Sequence, residues 1–271
     1  VKEMHFGPVT QWWRLPIKEL MGSGTLFGFL LWKEIRVRYK QTSVGILWIV
    51  LQPLLEMAIF TLIFGHLFER YSNIPYPLFV YAGLAPWMFF SSGISSATSS
   101  FVSHADMIKK IYFPRFIIPL AIVLSKGVDF LVAFLVLMIM MFLYGVQLTP
   151  LIALFPALFL LLYLLTAGIS LWTATLHGLY RDVGLIVPYF LRIGIFLTPV
   201  IYPLHSIHER WQNILAFNPL SGIILAFRSV MLGMDPVPWG QLGIDALVVF
   251  VIFVSGLFFF RKMEHRLLDV I

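Results

Sequence analysis

The sequence predicts an all-α polytopic membrane protein: six transmembrane helices, an amphipathic interface helix before the first, and re-entrant helices between the fifth and sixth. Three observations carry that expectation. Of 271 residues, 60% are hydrophobic and only 12% charged, with a mean hydropathy of +0.91, whereas a water-soluble domain carries about a quarter charged residues. Six apolar segments, 44–64, 78–102, 116–144, 151–176, 183–203 and 241–260, reach the roughly 20 residues that a helix needs to cross the hydrocarbon core. The basic residues lie in short stretches between these segments, as in "KEIRVRYK" from Lys33 to Lys40. That placement, behind a net charge of +6, suits a cytoplasmic membrane surface and its anionic lipids, and no nucleic-acid partner is expected. The chain has no cysteine, which excludes disulfides, thiolate metal sites and cysteine nucleophiles.

Residues 1–43 read as a cytoplasmic interface region. Residues 2–10 are mixed and polar with no apolar core, so no cleavable leader is expected there. Trp12 and Trp13 precede a short helix that Pro16 can start and Gly22 can stop, lying along the headgroups. A second helix is expected over 26–40, where helical spacing sets Lys33, Arg36 and Lys40 within about 60° of one another. Glu34 and Arg38 are spaced as an i,i+4 pair on another side. Two readings of this collar stand side by side: an anchor on anionic lipid, or the mouth of a path for an anionic headgroup. The glycine-rich "GSGTLFG" of 22–28 lacks the Lys-Ser/Thr of a Walker phosphate loop, as does the rest of the chain, so any ATP used is hydrolysed on another polypeptide.

Charge sets the orientation of the six spans within 44–260. With both termini cytoplasmic, fourteen Lys and Arg lie inside and only Arg70, Arg210 and Arg228 outside, the distribution that the positive-inside rule selects. A seventh apolar run, "ILAFNPLSGIILAF" (214–227), is short and broken by Asn218, Pro219 and Gly222. Such a run suits a re-entrant segment, here about 204–233. A seventh crossing would place the basic tail, 261–271, on the outer side.

Charged residues inside apolar runs have a partner or a purpose. Lys126 and Asp129 in the third span are three apart and can neutralise each other. Glu56 in the first span and Arg192 in the fifth have no local partner, which suggests a mutual bridge. In the second span Ser91, Ser95, Ser99 and Ser103 repeat at i+4 beside Ser92, Ser96 and Ser100, a hydroxyl face about 100° wide. That face serves either close helix packing or a wetted conduit. Aromatic residues near the expected outer ends, Tyr71, Tyr76, Tyr81, Trp87, Phe89, Phe90 and Trp211, suit an interfacial belt, and some can stack on sugar rings. "HSIHE" (His205, His208, Glu209) has metal-like spacing but no matching third site, so no metal is expected. His66, His104 and His177 sit at span ends and call for no special role.

The loop "SHADMIKKIYFPR" (103–115) reads as a short cytoplasmic helix, with Ser103 as cap, Asp106 at its start, Lys109 and Lys110 at its end and Pro114 as its stop. Ala105, Ile108, Ile111 and Tyr112 would share an apolar face. That face either lies on the bilayer or meets a partner protein.

Five stretches, in order, give the chain a resemblance to a known family: "RVRYKQTSVGILWIVLQPLLEMAIFTLIFG" (36–65), "YAGLAPWMFFSSGI" (81–94), "KKIYFPRFIIPLA" (109–121), "YRDVGLIVPYFLRIGIFLTPVIYP" (180–203) and "FNPLSGIILAFRSVML" (217–232). The chain resembles the membrane (permease) subunit of type-two ATP-binding-cassette exporters, in the branch that exports lipid-linked polysaccharides such as O antigen, capsule and teichoic acid. "FGPVTQWW" at the amino terminus matches no firm pattern.

The resemblance implies a homodimer in the bacterial inner membrane, docked on two separate ATPase subunits that bind ATP and magnesium, with no cofactor in this chain. It implies that 103–115 is the coupling element, with Asp106, Ile108, Lys109, Ile111 and Tyr112 meeting the ATPase. It further implies a glycan channel between the two copies, with Ser91, Ser95, Ser99, Tyr81, Trp87, Phe89 and Phe90 as its candidate lining, and recognition of the lipid pyrophosphate by Lys33, Arg36, Arg38 and Lys40. The rivals are an exporter of drugs, haem or lipid on the same fold, and a polytopic glycosyl or acyl transferase. An enzyme turns over alone, whereas a transport subunit needs its ATPase.

Overall fold

The computed structural model describes residues 22–40, 45–68, 74–110 and 113–270. The expected amphipathic piece at Trp12, Trp13 and Pro16 lies outside the described residues, as do Glu69, Arg70, Tyr71, Ile111 and Tyr112.

Helices are the only regular structure among the described residues, as a low-dielectric solvent demands of backbone that must satisfy its own hydrogen bonds. They run α1 (Gly24–Lys40), α2 (Gly45–Phe68), α3 (Tyr76–Thr98), the short α4 (Ser100–Ser103) and α5 (Ala105–Lys110), then α6 (Ile117–Ser125) and α7 (Gly127–Leu143). They continue as α8 (Phe155–Leu179), α9 (Val183–Gly194), α10 (Glu209–Ala216), α11 (Pro219–Leu232) and α12 (Trp239–Val270). Lys126 stands at the joint of α6 and α7, which together form one apolar stretch. Five helical stretches among the described residues are long and apolar enough to cross a membrane, or six if α10 and α11 count as one crossing.

The core is built around α3. Most of its residues are buried, from Tyr76 to Thr98, and it packs on α2, α6, α7, α8 and α11. The most extensive pairing joins α8 to α12, where Gly168 and Gly256 let the two backbones meet. A Cβ at Gly168 would lie 2.8 Å from the Phe253 backbone, and one at Gly256 2.7 Å from the Gly168 carbonyl. By contrast α2 buries only Pro53 among its described side chains, and α9 buries nothing.

Several expectations are corrected. The fifth apolar run is not one long helix: α9 has 12 residues, about 18 Å of rise against roughly 30 Å of hydrocarbon. Turns follow it to Val200, where Thr198 and Pro199 interrupt the apolar run. The break expected at Asn218 and Pro219 is present, as a bend of 101° between α10 and α11. Asn218 caps α11, its side chain accepting from the Leu220 N–H at 3.1 Å. The hydroxyl rows do not run on unbroken, because α3 ends at Thr98 and Ser100 is fully buried. Ser103 belongs to α4 and donates to the Ser100 carbonyl at 3.1 Å rather than capping α5. The expected outer belt is largely core instead: Tyr76, Tyr81, Trp87, Phe89 and Phe90 are all buried, while Trp211 is 61% exposed.

Candidate functional site

A cavity of about 800 Å³ runs from the carboxyl end of α1 into the middle of the bundle. Five helices and one joint supply its walls: Arg38 and Tyr39 from α1; Trp48, Gln52, Pro53 and Glu56 from α2; Trp87, Phe89, Ser91, Ser92 and Ser95 from α3; Lys126 at the joint; Asp129 and Phe130 from α7; and Pro188, Leu191 and Arg192 from α9. It holds three cations and two carboxylates inside an otherwise apolar assembly. Arg38 Nη1 donates to Asp129 Oδ2 at 3.0 Å, and its Nη2 to Ser125 Oγ at 2.9 Å. The Tyr39 hydroxyl donates to Asp129 Oδ1. Burial first, and then that carboxylate, push Tyr39 up to about 12, so it stays a donor. Gln52 Nε2 donates to Glu56 Oε1 at 3.1 Å.

The pairing expected within the third span is therefore wrong in its partner. Asp129 is engaged by Arg38 and Tyr39, about 90 positions away, and the Lys126 ammonium has no hydrogen bond or ion pair among the described residues. Glu56 and Arg192 share the cavity but form no bridge within 4.0 Å. Glu34 makes no salt bridge with Arg38 within 4.0 Å, although the Arg38 charge acts on its carboxyl; it meets His104 Nε2 at 3.1 Å. The His104 hydrogen bond holds the Glu34 carboxyl below its usual range. His104, which the sequence left without a role, thus ties α1 to the turn before α5.

Of the anticipated conduit side chains, Trp87, Phe89, Ser91 and Ser95 reach the cavity. Ser91 and Ser92 donate back to the Met88 and Phe89 carbonyls at 3.4 and 3.5 Å, long enough to leave both hydroxyls available to a ligand. Tyr81 does not line it: its side chain is fully buried in the core of this chain, because α3 presents that face to the bundle. Ser99 is exposed past the end of α3. Phe90 lines a second, apolar pocket of about 340 Å³ with Ile94, Val187 and Leu220; Trp87 and Leu191 form part of the walls of both spaces. Of the basic collar, Arg38 lines the cavity and Lys33, Arg36 and Lys40 do not. The Arg36 guanidinium lies 4.7 Å from the centroid of the Trp32 ring.

The coupling segment is also revised. Ile108 is 4% exposed and belongs to the core, because α5 turns that side inward. Asp106, Lys109 and Lys110 are exposed and available to a partner. Arg115, just beyond, is buried and donates to Glu264 Oε1 on α12 at 2.8 Å. Phe260 stacks on Phe101 close by, with centroids 5.4 Å apart. His208 is a helix cap, its Nδ1 accepting from the Arg210 N–H.

Two charged residues of the other end were missed. Arg228 of α11 is buried. It donates to the carbonyls of Phe79 (3.2 Å), Pro199 (2.6 Å) and Val200 (2.5 Å), with the Phe79 ring 3.7 Å from its guanidinium carbon. Asp245 of α12 is buried against Gly222, accepts from Gln241 at 3.0 Å and leaves Oδ2 without a hydrogen-bond partner. The signal was in plain sight, since both are charges inside apolar runs.

Residues 25–232 match the family described as ABC-2 type transporter. The chain is 31% identical over 267 residues to the O-antigen export system permease protein RfbA of Klebsiella pneumoniae, covering 95% of this chain and 100% of that protein. It is 28% identical over 217 residues to the Myxococcus xanthus protein of the same name, covering 79% and 83%. It is 26% identical over 249 residues to the polysialic acid transport protein KpsM of Escherichia coli, covering 88% and 93%.

Proposed function

The chain belongs to the ABC-2 type transporter family of membrane proteins, and from that premise we propose that it is the permease subunit that exports a lipid-linked polysaccharide, O antigen foremost, across the inner membrane. Its likeness to O-antigen export permeases runs along nearly the whole chain. The geometric observation that carries the reading is the charged, hydroxyl-lined and aromatic cavity that begins beside the basic collar of α1. Serine hydroxyls and the ring faces of Trp48 and Trp87 suit sugars, whose C–H faces stack on aromatic planes while their hydroxyls seek donors. About 800 Å³ holds a few sugar units and no more, so a long polymer passes in steps through contacts that are each weak.

Two copies pair, and each docks on one ATPase subunit that binds ATP and magnesium; both termini of this chain are cytoplasmic. The loosely covered α2 and α9 face the second copy and complete the conduit. Asp106, Lys109 and Lys110 meet the ATPase, and the Arg115–Glu264 pair passes the push from that loop to α12. Lys33, Arg36 and Lys40 hold the lipid pyrophosphate at the membrane surface and Arg38 stands at the cavity mouth. The chain itself makes and breaks no covalent bond. The relative named for polysialic acid transport supports capsule as the second cargo.

The test is co-expression with a cognate ATPase subunit in cells that make the polymer but lack their own exporter. Surface polymer appears only with both subunits and an intact ATPase. Export by this chain alone, or ATP hydrolysis by the purified chain, refutes the assignment.

A further inference from the structure

An ion inside a membrane protein is costly unless something neutralises it. In the cavity the two carboxylates are already engaged: Asp129 accepts from Arg38 and Tyr39, and Glu56 accepts from Gln52. Lys126, half-buried at the joint of α6 and α7, and Arg192, exposed on α9, reach the same cavity with no acidic group of the described residues within 4.0 Å of either. They approach from different walls, and Ser91, Ser92 and Ser95 add hydroxyl donors between α3 and the open volume.

We propose that Lys126 and Arg192 form an anion site for the diphosphate of a lipid-linked substrate, deeper than the collar on α1. The inference rests on the function proposed above for the choice of anion, and on the cavity for its place. A diphosphate has two charged groups and so can engage two cations supplied by different helices, which a single phosphate does less well. The carboxylates of Glu56 and Asp129 leave the cavity at a net formal charge of only +1, so the site is shallow and its occupant can leave. Because α9 buries none of its residues, Arg192 rides on the least anchored wall. Binding draws α9 toward the joint, and withdrawal of α9 removes one of the two cations.

The experiment is equilibrium binding to the purified full chain in nanodiscs of phosphatidylcholine, without the ATPase. The probes are undecaprenyl diphosphate, inorganic pyrophosphate and, as competitor, phosphatidylglycerol. Undecaprenyl diphosphate binds, and K126M and R192M each weaken it about tenfold, the loss expected for one charge-assisted contact. Pyrophosphate competes with it and phosphatidylglycerol does not. E56Q, which removes a negative charge from the same cavity, tightens binding several-fold, a gain that misfolding cannot imitate. The proposal is overturned if K126M and R192M bind within twofold of the native chain, if E56Q fails to tighten binding, or if phosphatidylglycerol displaces the diphosphate. Since no ATPase is present, such a failure leaves the export function standing, while intact binding without export in cells would count against that function alone.

Discussion

The two ends of the bundle are fastened by different chemistry. At the end that carries α1 and α5, helices are joined by charged side chains reaching one another over long stretches of sequence: Glu34 to His104, Arg38 to Asp129 and Arg115 to Glu264. At the other end side chains hold backbone. Arg228 gathers three carbonyls, the Tyr76 hydroxyl donates to the Ile201 carbonyl at 2.7 Å, and Thr149 donates to the Val230 carbonyl at 2.5 Å. Apart from that of Phe79, which lies within α3, these carbonyls are available because α11 ends nearby and the turns after α9 leave backbone oxygens without helical partners. Paired side chains can part and meet again as helices shift as rigid bodies, whereas a carbonyl held by a buried guanidinium moves only with its whole turn. The first end is suited to taking up motion and the second to holding a closed cap.

The sharpest way to break this contrast is at Arg228. R228M strips three carbonyls of their donor and is expected to cost on the order of 3 kcal/mol, read as a lower unfolding temperature in detergent. G83A should act in the same direction, because a Cβ there runs into the guanidinium. Native melting of both variants would dissolve the idea of a cap. Next is E264Q, expected to cost about 1–3 kcal/mol at a buried pair and to lower the polymer exported per ATP hydrolysed; an unchanged ratio removes α12 from the coupling path. D129N is milder, about 1 kcal/mol, because Arg38 and Asp129 are each roughly a quarter exposed. Its signature is faster amide exchange over 33–40, and unchanged exchange would separate α1 from α7. The smallest effect is that of acid on Glu34. Its carboxyl is held below the usual 4.5, so its contribution to the α1 contact is complete above that pH and fades as pH falls through the lowered value. Protection over 100–110, taken after correction for the intrinsic pH dependence of amide exchange, should therefore be flat from pH 7 to 5 and fall only in stronger acid, and a loss already at pH 6 would assign the contact to another group.

Local patterns in the sequence carried much of this. Apolar run length placed the spans apart from the fifth, and the residues singled out as charges, hydroxyls and rings inside those runs, Glu56, Ser91, Ser95, Trp87, Lys126, Asp129 and Arg192, converge on one cavity. Pairing was not legible. Helical spacing offered Lys126 to Asp129, but Lys126 sits at a joint between helices and Asp129 is taken by α1, a contact that tertiary packing alone creates. Orientation about a helix axis was also hidden. Nearly every residue of α3 is apolar or small, so nothing in its pattern showed that Tyr81 turns inward while Ser95 faces the cavity. The inward turn of Ile108 was lost for a related reason, since an apolar residue on a short loop helix serves a partner or its own chain equally well.

The central claim is that the cavity is the path of the polymer. Ser95 lines it and is exposed, so S95W fills the space without disturbing the core. In proteoliposomes holding this chain and its ATPase, with lipid-linked polymer supplied on the ATP side, the S95W complex should hydrolyse ATP and deliver no polymer to the other side. Delivery at the native rate through the filled cavity would contradict the account.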